Sequence, residues 1–154
     1  MSVHLGDPAP DFELRDQHGA GVRLSSLRGR PALVVFYPFA FSRVCGGELT
    51  ALRDGLPGLV PADVALIAVS CDPVFALRAF ADQERIAYPL LSDFWPHGAV
   101  ADAYGVLDAD RGCAGRSTFL VDRDGVLRWE VHNPMGEARD LSDYAAALAA
   151  IEAK

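Results

Sequence analysis

Apolar runs alternate along the chain with polar segments rich in Gly and Pro. Residues 32–37 and 64–70 are apolar at nearly every position, which is typical of parallel strands that are buried on both faces. Each run is followed by apolar residues at helical spacing, over residues 44–56 and 74–82. Two strand–helix units in succession predict a parallel sheet with right-handed crossovers.

The rest of the pattern predicts two hairpins and three smaller elements. The hairpins are predicted at residues 12–14 with 22–24 and at residues 117–121 with 126–131. A short strand is predicted at 88–91, a brief helix at 99–104 and an Ala-rich helix at 141–153. This order fits a thioredoxin-like α/β fold, with an N-terminal β-hairpin and a central mixed sheet flanked by helices, in a single domain over residues 1–154.

Composition narrows the class of protein. The chain has 154 residues, of which 51% are hydrophobic, enough to bury a core and fold alone. It has 14 Lys and Arg against 21 Asp and Glu, a net charge of −7. Nucleic acids and anionic membranes both require an excess of cations on one face, so neither is expected as a partner. Neither a signal-peptide pattern nor a membrane-spanning run is found, so we expect a cytoplasmic protein.

The three cysteines, Cys45, Cys71 and Cys113, are too few for a disulfide-built scaffold, and reduced thiols are expected. The sequence lacks the Cys-x-x-Cys and paired-His spacings of zinc and iron sites, so no metal is expected.

Cys45 has the most informative surroundings, because it falls in the first turn of the helix predicted after a buried strand. Backbone N–H groups there lack intrahelical partners and carry the positive end of the helix dipole, so a thiolate is favoured over a thiol. Ser42 is placed to cap this helix or to turn its hydroxyl toward the sulfur. Pro38 removes a backbone donor and stiffens the preceding loop.

The spacing Pro38-x-x-x-Ser42-x-x-Cys45 resembles the active-site signature of the peroxiredoxins. These are cysteine-dependent peroxidases on a thioredoxin fold, in which Pro, Thr or Ser, Cys and a distant Arg act together. Arg116 matches the position of that Arg, because residues 116–122 are similar to the family segment in which the arginine opens a strand that ends in an acidic turn. Residues 6–12 and 91–93 are also similar to family segments, so the resemblance covers nearly the whole chain.

Residues 39–41, 45–48 and 92–100 further resemble the small one-cysteine peroxiredoxins of the actinobacterial alkyl hydroperoxide reductase E type. Gly46 departs from the wider family, many members of which have Pro directly after the cysteine.

The resemblance implies a thiol peroxidase that needs no metal or organic cofactor. Cys45 thiolate attacks an oxygen of hydrogen peroxide, an organic hydroperoxide or peroxynitrite, and becomes a sulfenic acid. Arg116, the Ser42 hydroxyl and helix N–H groups are the donors for the charge of the transition state, and Pro38 shields the sulfur. The implied reductant is a low-molecular-weight thiol such as mycothiol, or a small thioredoxin-, glutaredoxin- or mycoredoxin-like protein, and a homodimer is expected.

Cys71 and Cys113 each have two interpretations. Cys71 follows a strand expected beside the one that leads to Cys45, and Cys113 is three residues before Arg116. Either thiol could therefore resolve the sulfenic acid in an atypical two-cysteine cycle. Packing is favoured for both, because the subfamily that the chain resembles uses one cysteine.

Several other residues keep a structural interpretation beside a functional one. Glu48 either orients the arginine or stabilises the helix N-terminus, and His97 is interpreted as a loop or packing residue. Four aromatic residues near these segments line a pocket, form a dimer surface or pack in the core: Phe39, Phe41, Phe94 and Trp95.

Two other functions are compatible with a single reactive cysteine on this fold. A thioredoxin-type disulfide oxidoreductase is discounted, because Glu48 stands where its second thiol belongs. A non-enzymatic redox sensor or chaperone-like binding protein, switched by oxidation of Cys45, stays as the alternative.

Overall fold

The computed structural model of the protein describes residues 3–134, 137 and 139–152. Its strands are β1 (Glu13–Arg15), β2 (Gly21–Arg23), β3 (Ala32–Phe36), β4 (Ala65–Ser70), β5 (Leu90–Ser92), β6 (Leu107–Asp108), β7 (Cys113–Ala114), β8 (Arg116–Val121) and β9 (Leu127–Asn133). Its α-helices are α1 (Arg43–Gly55), α2 (Val74–Glu84), α3 (Ala99–Ala103) and α4 (Leu141–Glu152).

The main sheet is mixed, with the strand order β2-β1-β5-β4-β3-β8-β9. β3 pairs in parallel with β4, and β4 with β5, which confirms the parallel core predicted from the two strand–helix units. β8 pairs antiparallel with both β3 and β9. Because Phe36 is opposite both Val69 and Ser117, the ends of β3 and β4 meet the beginning of β8 at one edge of the sheet.

Helices cover both faces of this sheet, as expected. Side chains of α1, α2 and α4, such as Leu49, Phe80 and Tyr144, pack on one face against Leu33 and Val35 of β3. The alternate β3 side chains enter a second core, which contains side chains of α3 and of the N-terminal hairpin. Complete burial of a side chain such as Leu49 stabilises the fold by about 2 kcal/mol.

The predicted elements are present, with ends that differ by one to a few residues. Residue 153, the last of the predicted closing helix, lies outside the described residues. The sequence prediction missed the antiparallel pair β6–β7 and two 3-10 helices, Leu24–Leu27 and Leu56–Gly58, since elements this short carry no periodic signal. In the part of the chain described, no helix has the length and apolar character needed to cross a membrane.

Candidate active site

Ser42 and Cys45 open α1 just beyond the carboxyl end of β3. Ser42 is the N-cap residue, and its Oγ accepts a hydrogen bond from the Cys45 backbone N–H at 3.3 Å. Because the oxygen accepts this bond, the hydroxyl hydrogen is the part of Ser42 that can be directed at a bound oxygen. Cys45 is completely buried, although Gly46 and Gly47 follow it in the same first turn.

Arg116 brings a guanidinium directly to the sulfur. Its Nη2 donates a hydrogen bond to Cys45 Sγ at 3.4 Å, while its Nη1 bonds to Oε1 of Glu48. The side chains of Arg116 and Glu48 are both buried. A cation held at this distance stabilises negative charge on the sulfur.

Arg139 is a second buried cation at this site, and no pattern in the sequence indicates it. Its backbone N–H donates to Glu48 Oε2 at 2.7 Å, and its Nη1 donates to Oε1 at 3.2 Å. Its Nη2 donates to the carbonyl of Phe36, at the end of β3. Burial lowers the pKa of the Arg139 guanidinium, as does the nearby charge of Arg116.

Two buried cations meet one buried carboxylate beside Cys45. Arg116 and Arg139 bring two positive charges to the single carboxylate of Glu48. An uncompensated buried charge is costly, and Arg116 is in contact with the Cys45 sulfur, so the cluster can stabilise negative charge that develops there. Glu48 thus has the orienting role that the sequence left open, because its carboxylate bonds to both arginines.

Asp72 holds the loop between β3 and α1 in place. Its Oδ2 accepts hydrogen bonds from the backbone N–H of Ala40 at 2.9 Å and from Ser70 Oγ at 2.7 Å. The end of β4 therefore fixes the segment that contains the buried Pro38 and leads to Ser42. In the sequence, Asp72 is recognisable only as the residue that ends a strand.

A cavity of about 250 Å³ opens at this site. Its described lining residues are Pro38, Phe39, Ser42, Arg43, Val44, Arg111, Cys113 and Arg116. The structure thus brings together all four residues predicted for the site, since Pro38, Ser42 and Arg116 line the cavity and Cys45 lies against Arg116.

Cys71 and Cys113 are buried and unpaired. Burial, with smaller contributions from Asp93, Cys113 and Asp72, raises the pKa of Cys71 to about 12. Burial also raises the pKa of Cys113. Both thiols therefore keep their protons at neutral pH and are poor nucleophiles there.

The remaining candidates are surface residues. Phe39, Phe41, Phe94 and Trp95 are exposed, the last by 80%, so packing in the core is not their role. A ring nitrogen of His97, Nε2, is 2.7 Å from the carbonyl oxygen of Gly112, which joins the loop before α3 to the turn before β7. Among the described residues, no three His, Cys, Asp or Glu side chains group to hold a metal ion.

Residues 5–130 match the sequence model of the AhpC/TSA family. The chain belongs to this peroxiredoxin family. The peroxiredoxin is 46% identical over 152 residues to alkyl hydroperoxide reductase E of Mycobacterium tuberculosis, over 98% of this chain and 99% of that protein. The resemblance to that type, predicted from the sequence, is therefore confirmed.

Solved structures support the same assignment. The peroxiredoxin superimposes on AhpC of Enterococcus faecalis with a TM-score of 0.87 and 30% identity, over 99% of this chain and 93% of that one. It superimposes on the peroxidoxin BcpB of Mycobacterium tuberculosis with a TM-score of 0.82 and 34% identity, over 96% and 97% of the two chains. The thioredoxin-like fold is confirmed, and the enzyme class is that of a thiol peroxidase.

Proposed function

We propose that Cys45 is the peroxide-reacting thiol of this enzyme, and that it reduces hydrogen peroxide, organic hydroperoxides and peroxynitrite. The observation that carries the proposal is the hydrogen bond from Arg116 Nη2 to Cys45 Sγ, at 3.4 Å within a buried charge cluster. Only a thiolate is an effective nucleophile toward peroxide, and this cluster can stabilise negative charge on the sulfur.

In the first half-reaction, the Cys45 thiolate attacks one oxygen of ROOH in line with the O–O bond. The S–O bond forms while the O–O bond breaks, and the departing RO⁻ takes a proton from solvent to become ROH. Cys45 is oxidised to the sulfenic acid and the peroxide is reduced. Arg116 and the Ser42 hydroxyl line the cavity and are held as donors for the charge that develops on the oxygens, and buried Pro38 keeps water from the sulfur.

In the second half-reaction, an external thiol reduces the sulfenic acid. The high pKa of Cys71 and the raised pKa of Cys113 support an external reductant over a resolving thiol within the chain. The reductant is a low-molecular-weight thiol, mycothiol being the suggestion of the actinobacterial relatives, or a small thioredoxin- or mycoredoxin-like protein.

A single-turnover experiment tests the assignment. Stopped-flow Trp fluorescence after addition of peroxide should show rapid oxidation of the wild-type protein and of the matched Cys71→Ser and Cys113→Ser variants. Cys45→Ser should give no peroxide-dependent change, and peroxide consumption by this variant would refute the assignment. Peptide mapping without reductant should show no crosslink from Cys45 to Cys71 or Cys113. A wild-type rate no faster than that of free cysteine thiolate would favour the redox-sensor alternative.

We also propose that the enzyme is a homodimer. The exposed aromatic residues Phe41, Phe94 and Trp95 support this proposal, because aromatic side chains are enriched at protein interfaces. Sedimentation should give the mass of two chains, and Trp95→Glu should shift the protein toward the monomer. A wild-type monomer at micromolar concentration would contradict the proposal.

A further inference from the structure

The hydroxyl group of Tyr37 is buried without a hydrogen bond. The chain has four tyrosines. Three of them hydrogen-bond through the hydroxyl group at 2.6 to 2.7 Å: Tyr88 to the Leu49 carbonyl, Tyr104 to the Pro10 carbonyl and Tyr144 to the Thr118 hydroxyl. Tyr37 is completely buried, and its Oη has no hydrogen-bond partner among the residues that the structure describes. Such a group is costly unless it forms a bond in another state of the enzyme.

Tyr37 is placed to act on the oxidised state of Cys45. It directly follows β3 and belongs to the same buried cluster as Cys45. Burial raises the pKa of Tyr37 well above its ordinary value, and the charge of Cys45 adds to this rise. The Ser70 hydroxyl lowers the same pKa in part, but it donates its own hydrogen to Asp72 Oδ2. Tyr37 therefore keeps its proton at neutral pH and remains a donor.

The peroxide and a small thiol reach the Cys45 sulfur from the same side. Cys45 is completely buried, and the cavity that Ser42 and Arg116 line opens beside it. The peroxide oxygen arrives from this cavity, so the new S–O bond points into it. A thiolate attacks the sulfenic sulfur from the side opposite the S–O bond, because the hydroxide departs in line with the attack. A thiol in the cavity is thus blocked until the oxygen turns away.

An oxygen that turns away from the cavity enters the buried cluster, where it requires a hydrogen-bond donor. Tyr37 is not among the described residues that line the cavity, and its hydroxyl is an unused donor on the buried side. Oxidation of Cys45 supplies the acceptor that the reduced enzyme lacks. A hydrogen bond that forms in only one of two states shifts the equilibrium toward that state.

We propose that the Tyr37 hydroxyl binds the oxygen of the Cys45 sulfenic acid on the side away from the cavity and stabilises it as it departs. The inference rests on the proposed peroxidase function and assigns a catalytic residue to its second half-reaction.

The reductive sequence balances with a thiol as the only reductant. RS⁻ attacks the sulfenic sulfur, the S–S bond of Cys45–S–S–R forms, and the S–O bond breaks. The departing hydroxide accepts a hydrogen bond from Tyr37 Oη, takes a proton from solvent and leaves as water. A second RS⁻ then attacks the sulfur of the bound R group, which releases RSSR and restores the Cys45 thiolate. Two thiols are oxidised and the sulfenic acid is reduced.

Tyr37→Phe tests the inference, because it removes only the hydroxyl oxygen. The protein is oxidised with one equivalent of hydrogen peroxide and mixed with 2-mercaptoethanol in a stopped-flow instrument. Reduction of the sulfenic acid should be about tenfold to 100-fold slower in this variant, because the departing hydroxide loses one hydrogen bond. Oxidation of Cys45 by peroxide should keep the wild-type rate, since the oxygen that departs in that step lies on the cavity side.

The mixed disulfide of Cys45 with 2-mercaptoethanol is the matched substrate, because it lacks the sulfenic oxygen. Tyr37→Phe should leave its reduction by the same thiol at the wild-type rate. Tyr104→Phe is the control variant, since it removes a hydrogen-bonded hydroxyl from the second core. It should lower the melting temperature and leave all three rates unchanged. Tyr37→Phe should not lower the melting temperature of the reduced protein, because its hydroxyl has no bond to lose.

The outcomes separate this inference from the function on which it rests. Reduction of the sulfenic acid at the wild-type rate in Tyr37→Phe would overturn the inference alone. Equal slowing of the sulfenic acid and of the mixed disulfide would also overturn it, because general damage affects both. So would a fall in melting temperature as large as that of Tyr104→Phe, which would show that Oη is already bonded in the reduced protein. Failure of peroxide to oxidise wild-type Cys45 would refute the peroxidase function and this inference together.

Discussion

Arg139 and Glu48 are joined by two hydrogen bonds across 91 positions of sequence, one from the backbone N–H and one from Nη1 of Arg139. Glu48 also bonds to Arg116, and Arg116 bonds to the sulfur of Cys45. Arg139 thus acts on Cys45 through two intermediate residues, and we consider it a positioning residue. Through its bond to Phe36 it also ties this cluster to the end of β3.

Glu48→Gln should damage both stability and peroxide reduction. Glutamine preserves the shape of the side chain but leaves the buried guanidinium groups of Arg116 and Arg139 without a carboxylate. We expect the free energy of unfolding to fall by about 3 kcal/mol, measured by urea denaturation. The rate of Cys45 oxidation should fall by at least about tenfold, because Arg116 loses the group that orients it.

Glu13→Gln is the matched control for this change. Glu13 pairs with Arg23 at the surface of the N-terminal hairpin, where both side chains are more than half exposed. Surface ion pairs contribute little to stability, so both measurements should stay at wild-type values. Equal effects of the two substitutions would show that the buried cluster has no special role.

Arg116→Lys should slow peroxide reduction although it preserves the positive charge. A lysine ammonium cannot reproduce the planar fork by which Arg116 bonds to Glu48 and Cys45 at once. We expect the rate constant for Cys45 oxidation to fall by about 100-fold. Stopped-flow oxidation would measure it, with the melting temperature as the check on folding. A rate within threefold of wild type would mean that charge alone is sufficient.

Asp72→Ala should slow the oxidation of Cys45 by peroxide, although no contact with the sulfur is changed. The substitution removes the acceptor for the Ala40 backbone N–H and for Ser70 Oγ, so the loop that leads to Ser42 loses its anchor. The expected changes are a loss of about 1 to 3 kcal/mol in unfolding free energy and a roughly tenfold slower oxidation of Cys45.

Asp16→Ala serves as the comparison for Asp72→Ala. Asp16 likewise accepts two hydrogen bonds, although both of its donors are backbone N–H groups, those of His18 and Ala20 in the turn between β1 and β2. The Asp16→Ala substitution should weaken the hairpin and leave the rate of Cys45 oxidation by peroxide unchanged. A similar loss of rate in both variants would indicate general destabilisation.

The raised pKa values of Cys71 and Cys113 predict how the cysteines react with an alkylating reagent. Cys71, with a pKa of about 12 against an ordinary value of 9.0, stays protonated in the folded protein through pH 10. Iodoacetamide at pH 8 should label Cys45, and Cys71 and Cys113 should react only after unfolding in urea. Mass spectrometry of peptides measures each site, and Cys45→Ser should remain unlabelled when folded. Rapid labelling of native Cys71 at pH 8 would contradict the protonated state.

The same shift predicts a loss of stability at high pH. Between about pH 9 and pH 12 the folded protein keeps a proton on Cys71 that the unfolded chain has released. The free energy of unfolding should therefore fall as the pH rises through this window. Denaturation at pH 8 and pH 10.5 measures the change, and Cys71→Ala should reduce it.

Two of the residues predicted for the site, Ser42 and Cys45, follow from a local pattern. The apolar runs of β3 and β4 indicate buried strands. After β3 the chain enters a helix, with Ser42 as its N-cap residue and Cys45 in its first turn. Arg116 was found through the family resemblance, since nothing in its own segment reveals that β8 lies beside β3. Its place beside the sulfur follows from the antiparallel register of those two strands.

The residues that were missed depend on contacts between distant segments. Arg139 lies between β9 and α4, in a segment with no periodic pattern, and its partner is on α1. Asp72 has its role only because β4 ends beside the loop after β3. The charge of each of these side chains can be read from the sequence. The residues to which they bond can be found only from the packing of the sheet.

The two glycines after Cys45 make its helical turn easy to open. A Cβ on Gly46 would lie 3.8 Å from Phe80 and one on Gly47 would meet nothing within 4 Å, so packing does not require glycine at either position. Each glycine lowers helix stability by about 1 kcal/mol relative to alanine. The amide hydrogens of this turn should exchange with solvent faster than those at the centre of α1. Brief unwinding of one turn can therefore present the oxidised sulfur to a reductant while the rest of the helix stays folded.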